Sequence, residues 1–293
     1  MKAGAGAAPA VIIASASDLP RPDEDDQPLR QALQAAGIDA VTRAWDDPTV
    51  EWGRARACIV RSTWNYTQHH AAFLAWIDRC AAVTALWNPP EVLRWNSHKA
   101  YLLELAARGL PVVPTRLLRR GQSAPLPALA REWPDRWPDL VIKPAVSAGS
   151  RDTLHVSAGG DLPRAQAHLD AMVAEGDVLV QPYQQSVETH GERSLVWIDG
   201  AFTHEIRKSP RFAGQSASVS GPLPVSPEER AVAEQILAPI PRPLLYARVD
   251  LARDPAGSPR LMELELIEPS LYLTGAGAAM ERLVAAIARL AAA

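Results

Sequence analysis

Apolar and polar positions follow one another in short runs whose period changes at Gly and Pro. Residues 10–16 (AVIIASA) read as a buried strand, 29–36 as a helix that stops at Gly37, and 38–44 and 57–61 as two further strands. A helix at 71–81 follows, then a break at Pro89-Pro90 and a short helix. This succession with short connections predicts an open, mostly parallel α/β sheet. Ligands of such sheets meet the carboxyl ends of the strands. Arg61, Ser62, Thr63, Trp64, Asn65 and Tyr66 lie just past the third strand. Arg61 is placed to grip a substrate carboxylate there, with Ser62 and Asn65 beside it and Trp64 and Tyr66 as pocket walls. The alternative is that these residues only pack the loop onto the helix at 71–81.

Farther along, Asn96 or Ser97 is expected to cap a helix at 99–108, ended by Gly109 with Pro111 just beyond. Residues 117–138 turn Pro- and Arg-rich, with a helix near 128–133. A strand at 140–144 carries Lys143 near its end, and a partner strand is expected at 153–156. Between them, residues 145–151 (AVSAGSR) are small. The backbone N–H groups around Ser147, Gly149 and Ser150 can close over phosphate as a flap, with Lys143 reaching in. Beyond a helix at 162–174, the strand at 178–183 presents Gln181 and Tyr183, polar groups suited to face a purine. Asp199-Gly200 between apolar runs predicts a hairpin of 195–198 with 201–208. A Ser-, Gly- and Pro-rich mobile loop at 209–227 carries Arg211, and helices follow at 228–238 and 280–292.

The most informative pattern is YARVDLARDPAGSPRLMELELIEPSLYL, residues 246–273. Two apolar runs flank a Pro- and Gly-containing turn, the pattern of a hairpin. Side chains alternate across a strand, so Glu263 and Glu265 share a face, and Asp250 can sit across from them. Carboxylates crowded on one face are hard ligands suited to Mg²⁺, and their repulsion is tolerable with cations among them. A solvated edge hairpin whose acids simply face water is the other reading.

Composition narrows the choice. The chain has 293 residues, 47% hydrophobic and 22% charged, with a net charge of −3, which describes a globular protein with no basic footprint for nucleic acid. Cys58 and Cys80, the two cysteines, form no metal-type cluster. The first residues resemble a signal peptide faintly, but only Val11, Ile12 and Ile13 are strongly apolar, so a first strand and a cytoplasmic location are expected. No run suits a membrane span. No Gly-x-Gly-x-x-Gly follows Val11, which excludes a dinucleotide-binding dehydrogenase, and there is no Ser/His/Asp or Cys/His nucleophile motif.

In their order from Leu93 onward, these motifs resemble the ATP-grasp superfamily. Asn96-Ser97-His98-Lys99 is similar to its first phosphate-binding lysine and Val141-Ile142-Lys143-Pro144 to its second. Residues 147–151 resemble the phosphate flap, and Val180-Gln181-Pro182-Tyr183 the hinge that holds adenine. Arg248-Val249-Asp250 with Glu263-Leu264-Glu265 resembles the Arg-x-Asp and Glu-x-Asn metal motif. Glu265 departs from that pattern, standing where Asn is usual, and leaves open whether Glu265 or Glu268 is the ligand. The ELELIEPSL form and RSTWNY look most like the glutathione-synthetase-like branch that contains the cyclo-ligase of cycloserine biosynthesis.

The resemblance implies an N-terminal open parallel α/β domain (1–93) followed by a two-part α+β ATP-grasp fold (94–177 and 178–293). It implies ATP and Mg²⁺ as cofactors, with Asp250, Glu263 and Glu265 on the metal and Lys99, Lys143, Ser147, Gly149, Ser150, Gln181 and Tyr183 on the nucleotide. Arg248 and Lys143 are the implied catalytic cations. Arg61, Ser62, Trp64, Asn65, Arg207, Glu268 and Ser270 fall on the substrate side. The implied reaction is ligation of a small-molecule carboxylic acid, amino-acid-like, to an amine through an acyl phosphate, with residues 147–151 and 207–221 as lids. A small-molecule kinase and a nucleotide-binding module without turnover are the competing classes, and a homodimer is the expected assembly.

Overall fold

The computed structural model describes residues 8–133, 139–157, 159–209 and 218–292. β1 (Val11–Ser15) is buried along its whole length, as a central parallel strand covered on both faces must be. It lies between β2 (Ala40–Ala44) and β3 (Ala57–Val60), and β4 (Ala85–Trp87) extends the sheet in the order β2-β1-β3-β4, parallel throughout. The open parallel sheet that the pattern predicts is therefore present. β4 is a strand that the pattern does not announce, because three residues are too few to show a period. Helices α1 (Asp26–Ala35) and α2 (His70–Ala81) belong to this unit, and Gly37 at φ +76° ends the turn after α1.

α3 (Pro90–Asn96) and α4 (Tyr101–Ala107) lead away from the first sheet. The expected cap is not made: Ala100 occupies the N-cap position, and no side chain bonds there. Asn96 instead serves the edge strand β13 (Pro259–Glu265) and the residues just after it, donating to the Leu264 carbonyl at 2.8 Å and accepting from Leu266 N–H at 2.8 Å. Tyr101 Oη likewise donates to Leu264 O and accepts from Leu264 N–H, at 3.0 and 2.9 Å. Buried Asn88 bonds the carbonyls of Tyr246 and Leu266 and the N–H of Leu245. An edge strand leaves a row of backbone groups unpaired, and Asn96 and Tyr101 satisfy part of it from outside the sheet. Ser97 Oγ turns back to the Arg94 carbonyl at 2.7 Å.

The middle sheet runs β5 (Arg116–Leu118), β8 (Val178–Pro182), β6 (Leu140–Pro144), β7 (Leu154–Val156), antiparallel at each pairing. β8 therefore hydrogen-bonds with the middle unit. A division at 177/178 would split that sheet, because the antiparallel ladder pairs Leu140 with Pro182 and Pro144 with Val178 across it. α5 (Leu126–Ala130) and α6 (Leu162–Glu175) share one apolar core with it.

The third sheet is ordered β11 (Val219–Leu223), β10 (Ala201–Lys208), β9 (Glu192–Ile198), β12 (Tyr246–Arg253), β13. The β9–β10 hairpin turns at Asp199 and Gly200, both left-handed at φ +44° and +92°, as a two-residue turn matching strand twist requires. Part of the expected 209–227 loop is strand β11, since pairing with β10 supplies order that a Ser- and Gly-rich stretch does not advertise. Arg211 and most of the lid expected at 207–221 lie outside the described residues. The short α7 (Ser186–Thr189) and the helix α8 (Pro227–Leu237) complete this part. α9 (Gly277–Ala292) packs Leu283 and Ile287 into a core shared by Val11, Ile13 and Leu29 of the first unit and Val196, Ile198 and Tyr246 of the third. Among the described residues no helix is long and apolar enough to cross a membrane.

Candidate nucleotide and metal site

Pairing of β12 with β13 sets Asp250 opposite Glu263 and Arg248 opposite Glu265. One carboxylate oxygen from each of Asp250, Glu263 and Glu265 lies within 4.8 Å of the others. Asp250 is buried and the two glutamates are half-buried, so the acids do not simply face water. The Arg248 guanidinium grips Asp250 through two hydrogen bonds of 2.8 Å, contacts Glu265, and donates to the Ser270 carbonyl at 3.3 Å. Lys208 Nζ bonds Glu192 at 2.7 Å and Asp250 at 3.3 Å, and Lys143 Nζ bonds Glu263 at 2.7 Å.

The charges sort by neighbour. Burial works against the Asp250 carboxylate, but Arg248 and Lys208 hold it well below the usual range. Burial also opposes ionised Glu263, yet Lys143 and Lys99 bring it down to about 2. Glu265 is pushed up to about 7, because burial reinforced by Asp250 outweighs the contact with Arg248. Glu268 rises to about 8 through burial and the nearby Glu265. Crowded acids, some firmly ionised and others resisting ionisation, form a hard-oxygen donor set whose repulsion a divalent cation relieves, so the residues present fit Mg²⁺.

Lys99 precedes α4, and its Nζ donates to the Ser147 carbonyl at 2.5 Å while its N–H bonds the Ala145 carbonyl at 2.8 Å. Lys143 is 6% exposed. In the segment between β6 and β7, Ser147 Oγ bonds the Pro144 carbonyl, and Gly149 and Ser150 are left-handed at φ +63° and +59°. Arg151 at its end reaches Thr67 of the first unit at 3.4 Å. Gln181 donates to Thr115 Oγ1 at 2.9 Å, and Tyr183 packs its ring 4.2 Å from that of His155 with its hydroxyl on Glu188 at 3.0 Å. The side chains of Gln181 and Tyr183 thus have protein partners.

The residues expected on the substrate side separate into two groups. Glu268 and Ser270 lie in the loop beside Arg248, and Trp64 joins them by donating to the Glu268 carbonyl at 3.3 Å. Arg61 is 0% exposed, against its expected place as an open clamp. It donates to the Pro269 carbonyl at 2.9 Å and is ringed by Asp25, Asp23 and Asp26 at 3.5, 3.6 and 3.9 Å, the first two from the segment between β1 and α1 and the third the first residue of α1. Its fork is occupied within the protein, since a buried guanidinium needs anions of its own. Ser62 bonds Asp26 and Ser15, and Asn65 bonds Trp45 and Asp46. Arg207 caps the carbonyls of Thr189 and His190 at 2.7 and 2.9 Å. The run RPDEDD reads as a polar loop in sequence, and nothing local shows that it partners Arg61. Lys208 and Glu192 were likewise unsignalled, although their cross-strand pairing in the β9–β10 hairpin brings them together.

Asp26 offers a pH test of the buried cluster. Burial, with Asp23 and Asp25 adding to it, outweighs Arg61 and raises its carboxyl from 3.8 to about 6. The folded state therefore holds this proton more tightly than the unfolded chain, and stability falls as pH rises from about 4 to about 6. Asp26→Asn should remove that loss, so its melting-temperature advantage over the parent should grow across this window to the equivalent of about 3 kcal/mol at pH 7. Thermal melts of both proteins at pH 4, 5, 6 and 7 check it, and a constant difference contradicts it.

A parallel first sheet followed by two antiparallel sheets, with Lys143 of the middle sheet facing an acidic hairpin of the third, is the architecture of an ATP-grasp ligase. Residues 11–88 match the family model of the D-cycloserine synthetase DcsG, N-terminal domain. Over 280 residues the chain is 36% identical to the cycloserine biosynthesis protein DcsG of Streptomyces lavendulae, covering 90% of this chain and 92% of that one. The crystal structure of D-cycloserine synthetase DcsG superposes with a TM-score of 0.85 at 34% identity, over 96% of this chain and 99% of that one. The ATP-grasp ligase PsnB, complexed with a phosphomimetic variant of its minimal precursor, Mg and ADP, shares the fold with a TM-score of 0.66 at 15% identity, over 97% and 99%. The chain belongs to the DcsG family of ATP-grasp ligases.

Proposed function

We propose that this protein joins a carboxylate to an amine on an amino-acid-like small molecule, forming a C–N bond at the expense of ATP. The observation that carries the reading is the convergence of Lys143, Arg248 and Lys208 on the acids of one hairpin. ATP brings about four negative charges, and an anionic carboxylate cannot approach its γ-phosphate until they are offset. Lys99 and Lys143 bind the phosphates in this reading, and Asp250, Glu263 and Glu265 hold Mg²⁺. When bound, that ion neutralises phosphate charge and orients the transferring group.

Arg248 is oriented by Asp250 and Ser270 and presents its remaining donor capacity to the reacting phosphoryl oxygens. The substrate carboxylate takes the γ-phosphoryl group, giving an acyl phosphate and ADP. A nitrogen nucleophile then attacks the acyl carbon, loses a proton, and expels phosphate. No side chain forms a covalent bond. Residues 147–151 exclude water, which would otherwise hydrolyse the acyl phosphate. The name of the relative supplies the first product to test, D-cycloserine, which places carboxyl and nitrogen in the same molecule. Small molecules, rather than nucleic acid or membrane, suit the net charge of −3, and a cytoplasmic homodimer is the accompanying proposal.

A phosphate-release screen with amino acids and aminooxy derivatives, with the products identified by mass, tests the reaction. Inorganic phosphate with an amide supports it, and a stable phosphate ester supports a kinase instead. Lys143→Ala should weaken ATP binding about tenfold, or about 1.4 kcal/mol, with Lys143→Arg recovering only part because a planar fork does not replace a point charge. Calorimetry with ATP and Mg²⁺ measures this, and unchanged affinity in Lys143→Ala removes that lysine from the phosphates.

A further inference from the structure

The segment 268–273 sits between the first unit and Arg248. On one side, Asp25 accepts the N–H groups of Leu271, Tyr272 and Leu273 at 2.7, 3.0 and 2.8 Å. Arg61 donates to the Pro269 carbonyl at 2.9 Å and lies 3.5 Å from the same Asp25. On the other side, Ser270 offers its carbonyl to Arg248, and the Tyr272 ring lies 6.0 Å from that guanidinium. Tyr272 adopts φ +51°, a left-handed conformation that a bulky residue keeps only where its surroundings impose it. Consecutive N–H groups aimed at one carboxylate supply that constraint, because left unpaired in a buried place they would cost heavily. Leu271 and Leu273 are 0% and 2% exposed, so water cannot replace Asp25.

We infer that Asp25 and Arg61 are positioning residues for phosphoryl transfer: they shape the 269–273 loop, and the loop orients Arg248 through Ser270 and Tyr272. The inference rests on the ligase reading, in which Arg248 faces the reacting phosphoryl group. It deepens that reading by making the first unit a part of the catalytic apparatus, whatever substrate it also selects. Neither residue touches the nucleotide-binding lysines in this structure, so the effect should fall on turnover and spare nucleotide affinity.

The test uses the full chain and the Asp25→Asn, Arg61→Lys and Tyr272→Leu variants. Asp25→Asn should lower kcat by tenfold or more and leave the Kd for ADP with Mg²⁺ within twofold. Arg61→Lys, which keeps the charge but loses the fork, should lower kcat less. Tyr272→Leu, which spares the buried cluster, should lower kcat severalfold. An NMR signal of the Arg248 guanidinium that shifts or broadens in Asp25→Asn supports the coupling without any turnover.

Unchanged kcat and an unchanged Arg248 signal in folded Asp25→Asn overturn the inference. So does a kcat loss matched by equal loss of ADP binding, which marks a merely structural role. If Asp25→Asn does not fold, unchanged kcat in Tyr272→Leu overturns it. A parent protein that makes no ADP with any acid and amine defeats the ligase reading itself, and the Arg248 signal then still decides whether the loop is coupled to that residue.

Discussion

Glu263→Gln is expected to slow ADP formation by about 100-fold or more, the scale associated with removing one group that stabilises developing charge. The side chain is 26% exposed and pairs with Lys143 at 2.7 Å, so the isosteric amide leaves no cavity, but the fold remains intact with a lowered melting temperature, because the buried Lys143 loses the anion it holds ionised. What changes is charge. Glu263 is the acid brought down to about 2, whereas Glu265 is held up near 7, so the ligand set loses one of its ionised members. The Mg²⁺ concentration for half-maximal rate should rise at least about tenfold as well, as for other losses at a metal site. Initial rates against Mg²⁺, with a thermal melt of the same preparation, check both parts. Near-native turnover at saturating Mg²⁺ would remove Glu263 from the metal.

Arg248→Lys should be comparably severe for a different reason. Arg248 meets Asp250 through two parallel bonds while also touching Glu265 and Ser270, and an ammonium cannot reproduce a planar fork with donors in several directions. The expected result is a fall in kcat of about 100-fold with ATP affinity changed little, because the fork acts where charge develops during transfer. Stability should fall too, by about 2 kcal/mol, since Asp250 is 2% exposed and its lost hydrogen bonds are charge-assisted. Single-turnover rates and nucleotide titrations separate the effects. Loss of ATP binding in parallel with kcat would show that Arg248 holds ground-state phosphate instead.

The acidic hairpin was legible because strand alternation is a local rule. Once residues 246–253 and 259–265 are strands, Glu263 and Glu265 share a face, and the turn between them brings Asp250 across. Lys143 near the end of an apolar strand and the small residues at 147–151 were legible for the same reason. Each is a signal carried within about ten residues. Lys208 was missed because its partner Glu192 is set by the β9–β10 register and Asp250 by a third strand, and neither relation is local. Strand β4 and the pairing of β8 with β6 were not legible, because a three-residue strand and sheet membership are settled by hydrogen bonds to distant segments.

Arg61 separates the two kinds of information most clearly. The sequence by itself determined that an arginine ends the third strand of an open parallel sheet, that a polar loop follows the first, and that a carboxylate-rich hairpin lies in the chain's last third. All of these follow from period, punctuation and charge. Only the tertiary structure decided which anions Arg61 meets. The parallel order β2-β1-β3 brings the carboxyl ends of β1 and β3 together, so Asp23, Asp25 and Asp26 close around the guanidinium before any substrate can. The same closure turns Asp25 toward Leu271, 246 positions away in the chain. A charged group taken from water must find its counter-charges within a few ångströms, and which ones lie there is a property of the packed chain that no window of sequence contains.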